Sequence, residues 1–276
     1  MFIDKISATK SDCIDQCLLR YAYKYIEYFP GFASKNEESL NFGSFIHKVF
    51  ELGYLLKDTK SLMKIAEQER ATYHIPFQYD DKIKICVENF IQLNSGLGET
   101  IATEGKFEVV LDVEAGIKHT GVIDRIVKGS DGGYLVIDYK SSKREKSKKD
   151  LLQDKQLMGY AYAVHKMHNI EFNKIWCGHY YPVSNHLVVV QFNKAQIFAW
   201  KKKEIDKVWR IRKKKRDEFP PMRNIFCDYC DMKPVCPLFN SEKEVCERLE
   251  EQRALAAEKK KLREQSKVED GKDKNQ

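Results

Sequence analysis

GVIDRIVKGSDGGYLVIDYK, running from Gly121 to Lys140, reads as two β-strands joined by a tight turn. Val122, Ile123, Ile126 and Val127 give its first half β-branched character, and Tyr134 to Tyr139 do the same for the second. Between them, residues 128–133 (KGSDGG) are turn chemistry. Side chains alternate along a strand, so Val136, Asp138 and Lys140 share one face and Leu135, Ile137 and Tyr139 the other. A carboxylate and an ammonium therefore end an otherwise apolar strand side by side. Asp124 interrupts the first strand in the same way, 14 residues earlier. Taken singly, each aspartate reads as a strand-end charge paired with Arg125 or Lys140. Together, at matching places on neighbouring strands, they read as a site. Two such carboxylates can share a divalent cation, which lowers the pKa of a water and offsets charge on an attacked phosphate. A lysine beside them can position that water or stabilise the charge that develops.

Working outward, an earlier strand begins at Phe107, with Glu108 either joining the site or flanking it. After Lys140, SSKREKSKKD is a basic loop without apolar residues, a solvated charge run or a phosphate-steering rim. A helix over 150–168 places Gln156 and Tyr160 at i and i+4, able to point together toward Lys140. Residues 174–182 and 187–192 read as two closing strands. N-terminal to all of these, apolar spacing predicts helices over 9–28, 42–56, 58–72 and 80–94. On the second, His47 and Glu51 stand at i and i+4, where both can reach one cation or each other. The order predicts an α/β fold, a mixed central sheet flanked by helices.

A helix over 194–218 carries ten Lys or Arg between Lys201 and Arg216 against Glu204 and Asp206, with Trp209 among them. That balance suits contact with a nucleic-acid backbone. Next comes Cys227-x2-Cys230-x5-Cys236, three thiolates able to converge on one metal centre but one ligand short of a closed site. Cys13, Cys17 and Cys246 are the candidates for the fourth. Cys86 and Cys177 read as packed core residues. Past Asn240 the chain is charged, helical by propensity over 242–266 and disordered in its last ten residues.

These pieces resemble, in order, the D…(D/E)-x-K nuclease superfamily, and within it the RecB-like nucleases of the iron–sulfur branch. That branch includes the CRISPR-associated adaptation exonuclease, AddB-type helicase-nucleases and phage exonucleases. The resemblance rests on Ile6-Ser7-Ala8-Thr9 leading to Cys17, Gly43 to His47, Asp124 with Asp138-x-Lys140, Gln156-x3-Tyr160 and the three-cysteine motif. Ile123 and Leu18 stand where those proteins carry proline. The resemblance implies a restriction-endonuclease-like core with a C-terminal cluster motif. Asp124, Asp138, the Tyr139 carbonyl and His47 would hold Mg²⁺ or Mn²⁺, Lys140 would act on the water, and Gln156 and Tyr160 would orient Lys140 or the DNA. Cys17, selected over Cys13, would join Cys227, Cys230 and Cys236 around a [4Fe–4S] cluster. Lys143, Arg144, Lys146, Lys213 and Lys214 are the expected phosphate contacts.

The expected organisation is a helical region over 1–105, a nuclease core over 106–193, the basic helix and cluster motif over 194–240 and a charged tail over 241–276. A net charge of +7 suits a polyanionic partner, and 42% hydrophobic residues suffice for a core. Eight cysteines without a signal-like N-terminus or a membrane-spanning apolar run point to a cytoplasmic protein. The expected activity is metal-dependent cleavage of DNA, as an exonuclease on single strands or ends. Two alternatives stand beside it. One is a DNA-trimming subunit that works only with a protein partner in a CRISPR adaptation or recombination complex. The other is a catalytically silent, metal-stabilised nucleic-acid binding module.

Overall fold

The computed structural model describes residues 3–32, 37–142, 144–215 and 217–273, with side chains up to Gln265 apart from Arg263. The chain divides into two compact units, one of Phe2–Ala8 with Glu37–Arg210, the other of Thr9–Asn36 with Ile211–Gln276.

The larger unit is built on a six-stranded mixed sheet, β1 (Lys5–Ile6), β2 (Glu99–Asp112), β3 (Ile117–Lys128), β4 (Tyr134–Tyr139), β5 (Ile175–Tyr181) and β6 (His186–Gln191). β3 is its hub: it pairs antiparallel with β2 along its length, parallel with β1 near one end and antiparallel with β4 near the other. β4 and β5 are parallel, and β5 and β6 antiparallel. The β3–β4 turn closes where Gly132 adopts φ +77°, a conformation that favours glycine. β2 begins at Glu99, eight residues before the strand expected from Phe107, because its first half lacks the apolar alternation that marks the second.

Helices α3 (Glu37–Gly53), α4 (Thr59–Arg70) and α5 (Asp80–Gly96) cover one face of the sheet. Phe45, Val49 and Phe50 of α3 and Val87 and Phe90 of α5 meet Val127, Ile137, Tyr139 and Tyr180 in one core. Phe50 and Phe90 stack at 3.9 Å; burying each such ring stabilises by roughly 1.5–3 kcal/mol. α3 starts at Glu37 rather than 42, with Glu37 and Glu38 complementing the helix dipole in its first turn.

The single helix expected over 150–168 is split into α6 (Lys148–Leu151) and α7 (Lys155–His168). Asp154 breaks it by turning extended and accepting from the backbone N–H of Gln156 and Leu157 at 3.0 and 3.2 Å. α7 lies close on β3 through Gly159, where a Cβ would stand 2.5 Å from His119 Nε2. α8 (Lys194–Arg212) ends six residues before the expected 218.

In the smaller unit the helix expected over 9–28 is interrupted. α1 (Ala8–Gln16) stops at Cys17, which is extended at φ −162°, and α2 (Leu18–Tyr21) runs on into a π-helical turn over Ala22–Ile26. Phe29, Met232 and Val235 form a small apolar core. Asp231 accepts from Arg20 Nε at 2.8 Å and Lys24 Nζ at 2.5 Å, tying this segment to the cysteine motif. α9 (Glu242–Asp273) begins at a capping box between Ser241 and Glu244. It runs through the part of the tail expected to be disordered, helped by i,i+4 pairs such as Lys260–Glu264; residues 274–276 lie outside the described residues. Among the described residues no helix is long and apolar enough to cross a membrane.

Candidate metal centre and active site

Strand register builds the site. Thr103 pairs with Arg125 and Gly105 with Ile123, so Glu104 lies across from Asp124. On the other edge Arg125 pairs with Ile137, and continuing that register sets Asp124 across from Asp138. Asp138 in turn pairs with His179 on β5. Residues directly opposite share a face, so Glu104, Asp124, Asp138 and His179 form one row across four strands. Glu104 adopts φ +46°, rare for a residue with a side chain and costly by about 1–3 kcal/mol.

His47 completes a cluster with two of these acids. Its Nδ1 stands 3.4 Å from Asp124 Oδ2 and 3.8 Å from Glu104 Oε1. Its Nε2 donates to the Tyr139 carbonyl at 2.9 Å, and the Tyr139 N–H donates to Asp124 Oδ2 at 2.7 Å. The backbone N–H and C=O of one residue, Tyr139, thus orient both the carboxylate and the imidazole. One donor atom each from His47, Glu104 and Asp124 lie within 4.8 Å of one another, the only such group of metal-binding residues among the described residues. Burial works against a charged imidazole here, but the neighbouring Asp124 and Glu104 carboxylates outweigh it and raise His47 to about 10. The same field favours any cation at this point. Glu104 Oε1 is buried with no hydrogen-bond partner, as an oxygen awaiting a ligand would be.

Asp138 stands in the row but outside that triad. Its Oδ2 is taken up by Lys140 Nζ at 2.5 Å. Burial, then the neighbouring Asp124, push its pKa up, with Lys140 opposing. Lys140 Nζ also donates to Gln156 Oε1 at 3.3 Å, and Gln156 Nε2 donates to the Tyr160 hydroxyl at 2.7 Å. Burial disfavours the Lys140 charge, yet Asp138 more than restores it and the pKa rises. On the far side His179 Nε2, fully buried, lies 3.7 Å from both Asp138 Oδ2 and Asp154 Oδ2. Burial, then Lys140, holds its imidazole neutral.

Glu51 lines the same pocket as His47 and Glu104, its carboxylate paired with Lys48 at 2.9 Å. Of its two readings, Glu108 takes the flanking one: it lies across from Thr120 and is held by Lys5 and Lys118, away from the acids. Lys146, half exposed, pairs through Nζ with Asp154 at 2.7 Å. Arg144 and Lys213 are exposed, Lys214 is half-buried, and Lys143 lies outside the described residues. Sequence reasoning passed over Glu104, Asp154 and His179.

In the smaller unit Cys17, Cys227, Cys230 and Cys236 line one cavity. The extended backbone at Cys17 interrupts the helix there, whereas Cys13 is buried and pushed up to about 11 by burial. Cys246 is exposed on α9. Burial also raises Cys230 and Cys236.

A row of acids beside a half-buried lysine, on a mixed sheet flanked by helices, is a site suited to cutting phosphodiester bonds with a divalent ion. The chain belongs to the PD-(D/E)XK nuclease superfamily, whose sequence profile matches residues 5–237. Two solved structures are similar to it: SSO0001, 15% identical over 87% of this chain and 89% of that one with a TM-score of 0.41, and a protein from Eubacterium rectale described as a candidate exonuclease, 12% identical over 82% and 87% with a TM-score of 0.48. A search of the curated proteins returns no match.

Proposed function

We propose that this chain is a metal-dependent DNA exonuclease acting on single strands or ends. The convergence of His47, Glu104 and Asp124, with Asp138 and Lys140 beside them, is the observation that carries the reading. Two carboxylates, one with an orphaned oxygen on Glu104, and an imidazole nitrogen suit Mg²⁺ or Mn²⁺. His47, Glu104, Asp124 and Asp138 would hold the ion; the Tyr139 carbonyl, expected as a further ligand, is engaged by His47 Nε2, and with the Tyr139 N–H it fixes the orientation of His47 and Asp124. When bound, such an ion supplies a water of lowered pKa and offsets charge on the attacked phosphate. Lys140, cationic and pinned by Asp138 and Gln156, would steady the water or the charge developing on the phosphate. Tyr160, its hydroxyl accepting from Gln156, would hold that pair in place. Arg144, Lys213 and Lys214 would meet the DNA backbone.

The iron–sulfur branch is the finer reading. In its favour, Cys17, Cys227, Cys230 and Cys236 line one cavity, the four-thiolate set that a [4Fe–4S] cluster takes. A partner-dependent trimming subunit is favoured by one observation, the exposed Ile225, Phe226 and Tyr229 beside the cysteine motif.

The test is digestion of end-labelled single- and double-stranded DNA with Mg²⁺, Mn²⁺ or EDTA. Stepwise shortening of the single strand with either ion is expected; uncut DNA with both ions, using protein that retains its iron, overturns the proposal.

A further inference from the structure

Arg125 sits beside Asp124 in the sequence but on the opposite face of β3, turned away from the acids. It is 3% exposed, and its guanidinium lines a cleft of about 680 Å³. Among the described residues it has no carboxylate within ion-pair distance. Its partners are neutral: Nε and Nη2 donate to Thr100 Oγ1 at 2.9 and 2.6 Å, Nη1 donates to Asn94 Oδ1 at 2.5 Å, and the ring of Phe90 lies 5.8 Å away. Three of the five N–H donors of a guanidinium are thereby used, leaving one on each Nη, with the buried Tyr139 hydroxyl the other neutral group beside them. A buried cation without a countercharge is costly unless an anion reaches it. Paired N–H groups on a fixed guanidinium match the oxygens of a phosphate.

The rest of the cleft suits the body of such a ligand. Tyr54, Leu55, Ile91 and Leu97 give it apolar walls. Leu55 stands 73% exposed at its rim, and Lys57 lines it as a second cation. The volume falls in the usual range for a small-molecule site. Glu99 is the one acid lining it.

We infer that this cleft is a second, non-catalytic anion site that binds a phosphate monoester, with Arg125 and Lys57 taking the phosphate and the apolar wall taking an attached base. The shared chemistry covers a free nucleoside 5′-monophosphate and the 5′-phosphate end of a strand. The choice of a nucleotide body rests on the nuclease reading; the anion site itself does not.

Calorimetric titration of the full chain in EDTA tests it, with thymidine 5′-monophosphate, a 5′-phosphorylated trinucleotide, its unphosphorylated counterpart, thymidine and acetate as probes. At least one phosphorylated probe should bind, and thymidine and the unphosphorylated trinucleotide should bind at least about tenfold more weakly. The tighter phosphorylated probe identifies the source. Arg125→Gln and Leu55→Asp should each weaken binding about tenfold or more. The second change lies on an exposed residue and keeps the test open should Arg125→Gln misfold. No binding of either phosphorylated probe, equal binding of acetate, or binding untouched by Leu55→Asp overturns the inference. EDTA separates the two readings: nucleotide binding in a chain that never cuts DNA leaves the cleft standing, and cutting without such binding removes the cleft alone.

Discussion

The acid row and the cysteine cavity are two polar sites made in opposite ways. The row is written into strand register: pairing β2, β3, β4 and β5 places Glu104, Asp124, Asp138 and His179 side by side, and the ladder fixes where each Cβ points. The cavity is assembled from short turns around Cys227–Cys236 and one helix break at Cys17, with little regular structure holding it. The first should keep its shape without a ligand, because the sheet and the Phe50–Phe90 core hold it. The second should depend on what it binds, because binding energy becomes folding energy when the site is not preformed.

Substitutions divide along that line. Asp124→Ala should lower cleavage by on the order of 10³-fold, the scale of losing a group that stabilises the transition state, while circular dichroism and the melting temperature stay near wild type. A collapsed fold in that variant would mean that the row is held together by its charges and not by the sheet. Cys17→Ser should do the reverse, releasing iron and lowering stability by several kcal/mol, as measured by elemental analysis and thermal melting. Cys86→Ser, in the core of the larger unit, should keep its iron; zinc in place of iron in fresh anaerobic protein would break the cluster half of the comparison.

Acid should separate the units as well. His119 is buried on β3, and burial lowers it to about 4. Its folded pKa lies below the unfolded value of about 6.5, so its stabilisation is complete above that pH. It is lost as pH falls from about 6.5 toward 4, by about 3 kcal/mol. Asp231, in the smaller unit, is opposed by burial but held below its usual value by Lys24 and Arg20. Its stabilisation is lost only as pH falls below the ordinary carboxylate range. Urea melts across pH should therefore show the larger unit weakening first, and His119→Phe should flatten that limb. A smaller effect is expected from Gln156→Ala. It touches Lys140 and not the triad, so cleavage should fall about 10–100-fold with metal affinity unchanged.

The sequence showed some of this and hid the rest for physical reasons. Asp124, Asp138 and Lys140 interrupt apolar strands, and alternation exposes such interruptions directly. The mixed sheet followed from the element order. Glu104 was hidden because it precedes the apolar alternation of β2 and reaches the row only through register and a left-handed backbone. Glu108, four residues on, read as joining the row or flanking it until pairing set it opposite Thr120. His179 sits inside an apolar strand, where one histidine reads as core. The break at Asp154 was hidden by the helical residues on both sides; its capping bonds are visible only in three dimensions. At Cys17, periodicity continued through a residue whose backbone is extended.

Mn²⁺ titration of the wild-type chain, Glu104→Gln and Glu108→Gln, followed through cleavage of end-labelled single-stranded DNA, tests the row most directly. The two glutamates lie on one strand, four residues apart, and only register tells them apart. Glu104→Gln should raise the Mn²⁺ concentration needed for half-maximal cleavage by about 10–100-fold, and Glu108→Gln should leave it unchanged. Equal behaviour of the two variants, or a loss confined to Glu108→Gln, would contradict the placement of the metal centre on Glu104, Asp124 and His47.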